Sequence, residues 1–215
     1  SPSPTRGLSQ EIGDLTEDGL ELETAVQIEP VLKRSFKKDG QKVKRDLWKS
    51  FSSVLFVPDD LNLFFFGPGL RRRYLDDTVS QVSKTYAADL VSLEHVLKQR
   101  KALLEKIFNK QATPEELSFW NEQLIDLTFR IGKERKKFLD FLQARLSQIY
   151  QGLTGFKNSF QVEYKTYADG DLARQLTEQE EAEVKSGQNL LGPHREDFLV
   201  KKDGQLNVYN SSRGE

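Results

Sequence analysis

Apolar side chains recur at helical spacing through the long central stretch from Arg71 to Gly152. In its first half they stand three, four or seven residues apart, at Leu75, Val79, Val82, Tyr86, Leu90, Leu93, Leu97, Leu104 and Phe108. In its second half the pattern continues at Leu117, Trp120, Leu124, Leu127, Ile131, Phe138, Leu142 and Ile149. This spacing keeps apolar side chains on one stripe of a helix, and it predicts two helices, each roughly 50 to 60 Å long.

The segment between the two predicted helices carries a helix start signal. Thr113, Pro114 and Glu116 match a capping box, with threonine as the N-cap, proline at the first helical position and glutamate at the third. Because a short connection makes neighbouring helices antiparallel, the pattern predicts a helical hairpin. Taken alone, such a hairpin is typical of a plain coiled coil with a structural or partner-binding role.

On both sides of the hairpin the pattern changes to the period of two that is typical of β-strands. Before the hairpin, the sequence predicts strands at 20–28, 31–37 and 53–57, an Asp39–Gly40 turn, and helical stretches near 46–50 and 59–63. After it, the sequence predicts a strand at 159–165, a charged helix at 171–186 and a strand hairpin at 197–201 and 205–209. We expect residues 1–18 to be a loop or a cut end. Strands on both sides favour one sheet-containing domain into which the hairpin is inserted.

Composition restricts the chemistry that this chain can perform. Its 215 residues include no cysteine, which excludes disulfide scaffolds, thiolate zinc sites and cysteine nucleophiles, and fits a reducing cytosol. No apolar run reaches the roughly 20 residues of a membrane span, and the N-terminus lacks the pattern of a secretion signal. The sequence also contains no methionine, and we therefore interpret it as a piece of a larger protein.

The net charge of −1 conceals an uneven distribution of charged residues. Residues 71–152 contain 15 Lys or Arg against 11 Asp or Glu, whereas the remainder contains 17 against 22. If the chain binds a polyanion, the hairpin is therefore the better candidate. The alternative is that the hairpin only carries solvated charges.

Three consecutive arginines form the first candidate binding site. Arg71, Arg72 and Arg73 follow a Gly-Pro-Gly hinge at the start of the first helix. Guanidinium groups at such a junction are suited to holding phosphate through charge-assisted hydrogen bonds. The alternative is a local ion-pair lock with the aspartates that follow.

Two further stretches contain candidate binding residues. Residues 191–197 present His194 and Arg195 together in a tight turn, where they either take part in function or anchor the turn to neighbouring carboxylates. Residues 210–215 combine serine and glycine after a predicted strand. Backbone N–H groups in such a segment suit a terminal phosphate, although the composition is also common in loops.

In this order and spacing, the stretches resemble the RecF family of bacterial DNA replication and repair proteins. The matching segments are residues 54–61, 67–76, 97–100 and the Gly-Pro-His-Arg-Glu-Asp-Phe sequence at 192–198. The resemblance implies an α/β fold, a partial ABC-type (SMC/Rad50-like) ATPase head with a mixed β-sheet and an inserted antiparallel α-helical hairpin. Residues 1–70 and 153–215 would belong to the head, and residues 71–152 to the helical lobe.

The resemblance also implies a nucleotide site with ATP and Mg²⁺. Ser212, Arg213, Gly214 and Glu215 align with the signature motif, which in such ATPases contacts ATP held by the other subunit of a dimer; Arg213 stands where glutamine is usual. The chain contains no P-loop and no Walker B segment. In the family these lie upstream and downstream, and we expect this segment alone not to hydrolyse ATP.

For the intact protein, the resemblance implies ATP-dependent binding to single-strand/double-strand DNA junctions by a homodimer with weak DNA-dependent ATPase activity. The implied partners are RecO, RecR and RecA, with RecA loading as the outcome, in recombinational repair, replication restart and the SOS response at the bacterial nucleoid. Arg71, Arg72 and Arg73 are the candidate DNA contacts. Two alternatives stay open: a non-enzymatic coiled-coil adaptor, and another SMC-like ATPase.

Overall fold

The computed structural model describes residues 9–15, 21–27, 33–38, 40–43, 63 and 67–206. The chain divides into two units, residues 1–55 and 56–215. Several predicted features lie outside the described residues: the stretches at 46–50 and 53–57, most of 59–63, the end of the last strand hairpin, and the signature-like residues 210–215.

The first unit contains an antiparallel meander of four strands in the order β1-β2-β3-β4. They are β1 (Ser9–Leu15), β2 (Glu21–Gln27), β3 (Lys33–Lys38) and β4 (Gln41–Val43). In the register, Thr24 of β2 pairs with Ile12 of β1 and with Phe36 of β3. Gly40 has a φ of 73° between β3 and β4, as the turn predicted there requires.

Strand β1 shows that the expectation of a loop or cut end for residues 1–18 is wrong in part. Its sequence, SQEIGDL, contains glycine and acidic residues and lacks a period of two, so local propensity favours a turn. The strand pairs with β2 along its whole length, from Ser9 opposite Gln27 to Leu15 opposite Glu21. Pairing with a neighbouring strand therefore overrides propensity here.

The described residues of the second unit form four α-helices and three strands. The helices are α1 (Pro68–Val82), α2 (Lys84–Phe108), α3 (Leu117–Thr154) and α4 (Leu172–Ser186). The strands are β5 (Phe160–Lys165), β6 (Asp197–Lys202) and β7 (Gln205–Leu206), and short 3-10 helices span Pro114–Glu116 and Pro193–Arg195. The helical hairpin, the strand near 159–165 and the helix near 171–186 are confirmed.

The first half of the predicted hairpin is two helices, not one. The helix breaks at Ser83, whose backbone is extended with φ −131° and ψ 104°. The Ser83 N–H donates to the Val79 carbonyl at 2.9 Å, and its Oγ accepts from the Tyr86 N–H at 3.2 Å. Ser83 therefore ends α1 and caps α2, as serine commonly does at a helix N-terminus.

The start of α3 follows the prediction closely. The Glu116 side chain accepts from the Thr113 N–H at 2.9 Å, which is the glutamate half of the expected capping box. Helix α3 then runs for 38 residues and ends at Gly155, whose φ of 77° closes the last turn. Glycine is favoured at this position because a side chain is strained at positive φ.

The core of the second unit lies between α1, α2 and α3, with α4 and β6 packed on the hairpin. Its buried apolar residues are Leu75, Val79, Tyr86, Leu93, Val96, Leu104, Leu117, Leu124, Leu127, Ile131, Leu139, Leu172, Leu176, Leu191, Phe198 and Val200. Three residues of the predicted stripes are exposed and lie outside the core, since Val82 is 78%, Phe108 is 61% and Ile149 is 52% exposed. Because α4 covers part of it, the hairpin is one side of a helical lobe and not a plain coiled coil.

The strands of the second unit form an antiparallel sheet in the order β5-β6-β7. Tyr164 of β5 pairs with Phe198 of β6. Asp203 and Gly204, at φ 52° and 80°, form the tight turn into β7. The sequence favours one sheet for all strands, whereas the described strands form two sheets. Within residues 67–206 and the described strands, none of the helices has the length and hydropathy needed to cross a membrane.

Candidate functional site

Arg71, the first of the three candidate arginines, is held inside the second unit. Its Nε and Nη2 donate to the two carboxylate oxygens of Asp197 at 2.8 and 2.9 Å. Its Nη1 donates to the Leu63 carbonyl at 3.3 Å, and the residue is only 6% exposed. This two-point pairing fastens the first turn of α1 to the start of β6 and leaves little of the guanidinium for a ligand.

The other two arginines have different surroundings. Arg72 is half-buried and donates from Nη1 to the Glu196 carbonyl at 2.9 Å. Burial lowers the pKa of Arg72, while the nearby Asp197 opposes this shift. Arg73 is exposed and makes no hydrogen bond or ion pair with the described residues. Of the three, Arg73 is therefore the one presented to solvent.

A buried carboxylate beside this cluster accepts four hydrogen bonds. Glu196 Oε2 accepts from Arg135 Nη1 at 2.8 Å and from the Tyr164 hydroxyl at 2.5 Å. Its Oε1 accepts from Thr166 Oγ1 at 2.7 Å and from the Tyr167 N–H at 2.9 Å. Burial raises the pKa of Tyr164, and the neighbouring Glu196 carboxylate raises it further. The tyrosine is therefore a fixed hydrogen-bond donor.

Arg135 of α3 connects this carboxylate to the first helix of the hairpin. It donates to Asp76 from Nε at 3.1 Å and from Nη2 at 2.8 Å, and to the Pro193 carbonyl at 2.8 Å. The Tyr86 hydroxyl donates to the same Asp76 oxygen at 2.5 Å. Burial by itself lowers the pKa of Arg135, but the surrounding acidic groups outweigh it and raise the pKa overall. Arg135 thus stays charged and joins α1, α3 and the turn before β6.

The second candidate stretch, around His194, is anchored to a backbone carbonyl and not to carboxylates. Arg195 donates to the Asn189 carbonyl from Nε at 3.2 Å and Nη2 at 3.0 Å, and His194 Nε2 lies 3.0 Å from the same oxygen. A carbonyl only accepts, which assigns the proton of neutral His194 to Nε2. Burial lowers the pKa of His194, and its Nδ1 is buried with no hydrogen-bond partner among the described residues.

A second buried arginine, paired with a glutamate, supports the segment just before the His194 turn. Arg100 of α2 donates from Nη2 to Glu183 Oε2 at 2.7 Å and from Nη1 to Asn189 Oδ1 at 2.6 Å. Glu183 Oε1 also accepts from the Leu190 N–H at 2.8 Å. The segment between α4 and β6 is therefore held by side chains from two helices.

Sequence reasoning missed these buried charges, although a signal exists. Arg100 stands four residues after Val96 and four before Leu104, and Arg135 stands four residues after Ile131 and four before Leu139. Both arginines therefore occupy positions at which the helical spacing predicts a buried apolar residue. A charged residue at such a position is rare unless it is paired, and it predicts a buried ion pair.

The signature-like residues Ser212, Arg213, Gly214 and Glu215 lie outside the described residues, so their role stays a prediction. Within the described residues, no group of three His, Asp or Glu side chains is arranged to hold a metal ion.

Comparison with known proteins shows a consistent likeness. No family model matches the sequence. The chain is 34% identical over 161 residues to the DNA replication and repair protein RecF of Lysinibacillus sphaericus, covering 68% of this chain and 43% of that protein. It is 33% identical over 182 residues to RecF of Carboxydothermus hydrogenoformans, covering 82% of this chain and 51% of that protein.

Solved structures show the same likeness in three dimensions. A structure of the recombination mediator protein RecF-ATP in the RecFOR pathway matches with a TM-score of 0.76 and 26% identity, covering 91% of this chain and 55% of that one. A RecF-ATPrS structure matches with a TM-score of 0.75 and 25% identity. The chain spans about half the length of the relatives that it matches.

Proposed function

The chain belongs to the RecF family of DNA replication and repair proteins, and on this basis we propose that it forms part of an ATP-dependent DNA-binding protein of recombinational repair. The observation that carries the proposal is the match over 91% of the chain to a solved RecF-ATP structure. The ABC-type α/β architecture follows from the same match. We propose that residues 1–70 and 153–215 belong to the ATPase head and residues 71–152 to its helical lobe.

In this proposal, nucleotide is bound between two copies of the protein. Ser212, Arg213, Gly214 and Glu215 act as the signature motif toward ATP and Mg²⁺ on the partner subunit. Arg71 and Arg135 support this role because they fasten the helical lobe to the start of β6 and to the turn before it, upstream of the signature-like residues. The geometry of these two arginines makes them positioning residues, whose ion pairs hold the turn at 193–197 in place.

We propose that the exposed arginines at the start of α1 contact DNA. Arg73 is the arginine of the original three with a free guanidinium among the described residues, and Arg72 is half-exposed beside it. We propose that the intact protein prefers single-strand/double-strand DNA junctions. We also propose that it works with RecO and RecR at the bacterial nucleoid to promote the loading of RecA. The likeness to a recombination mediator protein of the RecFOR pathway supports this context.

The decisive experiment uses the complete protein that contains this chain. Binding to a fluorescent junction oligonucleotide is measured by anisotropy with and without ATP and Mg²⁺, and dimerisation is followed by sedimentation velocity. We expect ATP to promote both, and Ser212→Arg to abolish the ATP effect on dimerisation. DNA binding and assembly that ignore nucleotide would contradict the proposal and favour a non-enzymatic adaptor.

A further inference from the structure

Basic residues are concentrated in one part of the long helix α3. Residues 130–145 contain six Lys or Arg against two Asp or Glu, whereas the rest of residues 71–152 contains nine of each. The positive surplus of the hairpin therefore lies entirely within this one segment. A local surplus of this kind raises the concentration of anionic ligands near it.

Several of these charges are already neutralised. Arg135 is buried in its ion pairs, Lys136 pairs with Asp140 at 3.0 Å, and Arg130 pairs with two aspartates at 3.1 Å. Lys133 and Lys137, by contrast, are exposed and have no ion-pair partner among the described side chains. Since they stand four residues apart on a helix, their side chains leave the same face as neighbours.

Two exposed aromatic rings flank these lysines on the same ridge of α3. Phe129, Lys133, Lys137, Phe141 and Arg145 follow one another at steps of four residues, and we call this set the basic–aromatic ridge. Phe129 is 58% exposed and Phe141 is 53% exposed. The Arg145 guanidinium lies 3.9 Å from the centre of the Phe141 ring, where it steadies the ring. The ridge is about 24 Å long at the helical rise per residue.

A groove runs beside the ridge. It has a volume of about 490 Å³ and lies between α3 and the segment after β5, with Phe129, Lys133, Lys137, Thr166 and Ala168 among its lining residues. Its two acidic lining residues are Asp140, which Lys136 neutralises, and Asp169. The groove gives an extended ligand a second wall.

We propose that the basic–aromatic ridge binds single-stranded nucleic acid, with phosphates at Lys133 and Lys137 and bases stacked on Phe129 and Phe141. Exposed lysines flanked by exposed aromatic rings suit a single strand, because each phosphate carries a charge and each base offers a flat face for stacking. Bases in a duplex are already stacked on one another, so the rings favour a single strand. This inference rests on the proposed function, of which it locates one DNA contact.

The test compares two double variants of the complete protein. Binding to fluorescent oligothymidine and to a duplex of equal length is measured by anisotropy between about 50 and 200 mM salt. Lys133→Gln with Lys137→Gln should weaken single-strand binding and reduce the salt slope by about 1.4, at roughly 0.7 per phosphate contact. Phe129→Ala with Phe141→Ala should weaken single-strand binding at least about tenfold at each salt concentration and leave the salt slope unchanged.

Matched controls come from the same hairpin. Phe119→Ala removes an equally exposed ring of α3, and Lys101→Gln removes an exposed lysine of α2; both should bind as the unchanged protein does. If the protein binds DNA and neither double variant differs from these controls, the ridge proposal is overturned while the proposed function stands. If the unchanged protein binds no DNA with any nucleotide, the proposed function fails and the ridge proposal fails with it.

Discussion

Arg135 and Glu196 are separated by 61 positions in the sequence and meet in a fully buried ion pair of 2.8 Å, each about 1% exposed. On its other side, the same guanidinium binds Asp76 of α1. One arginine of α3 therefore joins the first helix of the lobe to the turn that begins β6. Because both charges are removed from water, the pair is strongly dependent on its geometry and on having both partners present.

Removing Arg135 should be severely destabilising. In Arg135→Met, the Glu196 carboxylate loses its charged partner while remaining buried, and Asp76 loses two hydrogen bonds. We expect the free energy of unfolding to fall by about 3 to 5 kcal/mol, measured by urea denaturation. The matched control is Lys136→Met, one residue along the helix, which breaks the exposed pair with Asp140 and should cost no more than about 1 kcal/mol. Equal losses in the two variants would contradict the role of Arg135.

The buried arginines also show how far the sequence predicts this structure. The apolar spacing predicts the antiparallel hairpin, and the capping box predicts where α3 begins. The same spacing leaves gaps at Arg100 and Arg135, and their partners Glu183 and Glu196 come from segments more than 60 residues away. No local pattern identifies such a partner, because pairing across the fold depends on how the helices pack.

Arg71 and Arg73 should separate structural from binding effects. Arg71→Lys loses the two-point pairing with Asp197, and we expect the free energy of unfolding to fall by about 1.5 kcal/mol. This value is at the lower end of the range for hydrogen bonds between charged groups, because the Asp197 carboxylate is partly exposed. Arg73→Ala should change stability by less than about 0.5 kcal/mol, since its side chain is exposed. Thermal unfolding of both variants measures the difference.

The Arg73 variant also tests the proposed DNA contact. Arg73→Ala should weaken DNA binding of the complete protein and reduce its salt dependence, because an exposed guanidinium that holds a phosphate releases counterions. A variant that replaces all three arginines would mix this effect with the loss of the Arg71 pair. Unchanged binding across salt in Arg73→Ala would remove this residue from the DNA contacts.

The break at Ser83 marks another limit of sequence reasoning. Val82 and Tyr86 stand four residues apart, so the apolar phase continues across a point where the backbone does not. Val82 is largely exposed because the chain changes direction immediately after it. The residue that indicates the break is Ser83, because serine is a favoured N-cap, whereas the apolar spacing continues past it unchanged.

His194 should make stability depend on pH. Burial lowers its pKa, the hydrogen bond to Asn189 opposes this, and Arg195 and Arg72 lower the pKa further. The unfolded chain therefore binds a proton at about pH 6.5, where the folded protein does not yet do so. Stability should fall as the pH decreases below this value, by up to about 1.4 kcal/mol per pH unit. Urea denaturation is measured from about pH 7.5 to about pH 5, a range that includes the histidine pKa of about 6.5 in the unfolded chain. The stability of His194→Gln should depend less on pH than that of the unchanged protein. His95→Gln, which removes the other histidine, should retain the dependence.

Gly132 and Gly152 lie on the same helix, and replacing each by alanine should have opposite effects. Alanine favours a helix over glycine by about 0.5 to 1 kcal/mol, so Gly152→Ala, with no atom within 4 Å of the added methyl, should be stabilising by that amount. At Gly132 the added Cβ would lie 2.5 Å from Ala168 Cβ and 3.2 Å from Thr166 Oγ1. The methyl would push α3 away from the segment that holds Glu196 through Thr166, and the clash should exceed the helical gain, with a net loss of about 1 to 3 kcal/mol. Urea denaturation of both variants tests the pair, and stabilisation by Gly132→Ala would show that α3 and the segment after β5 are not in close contact.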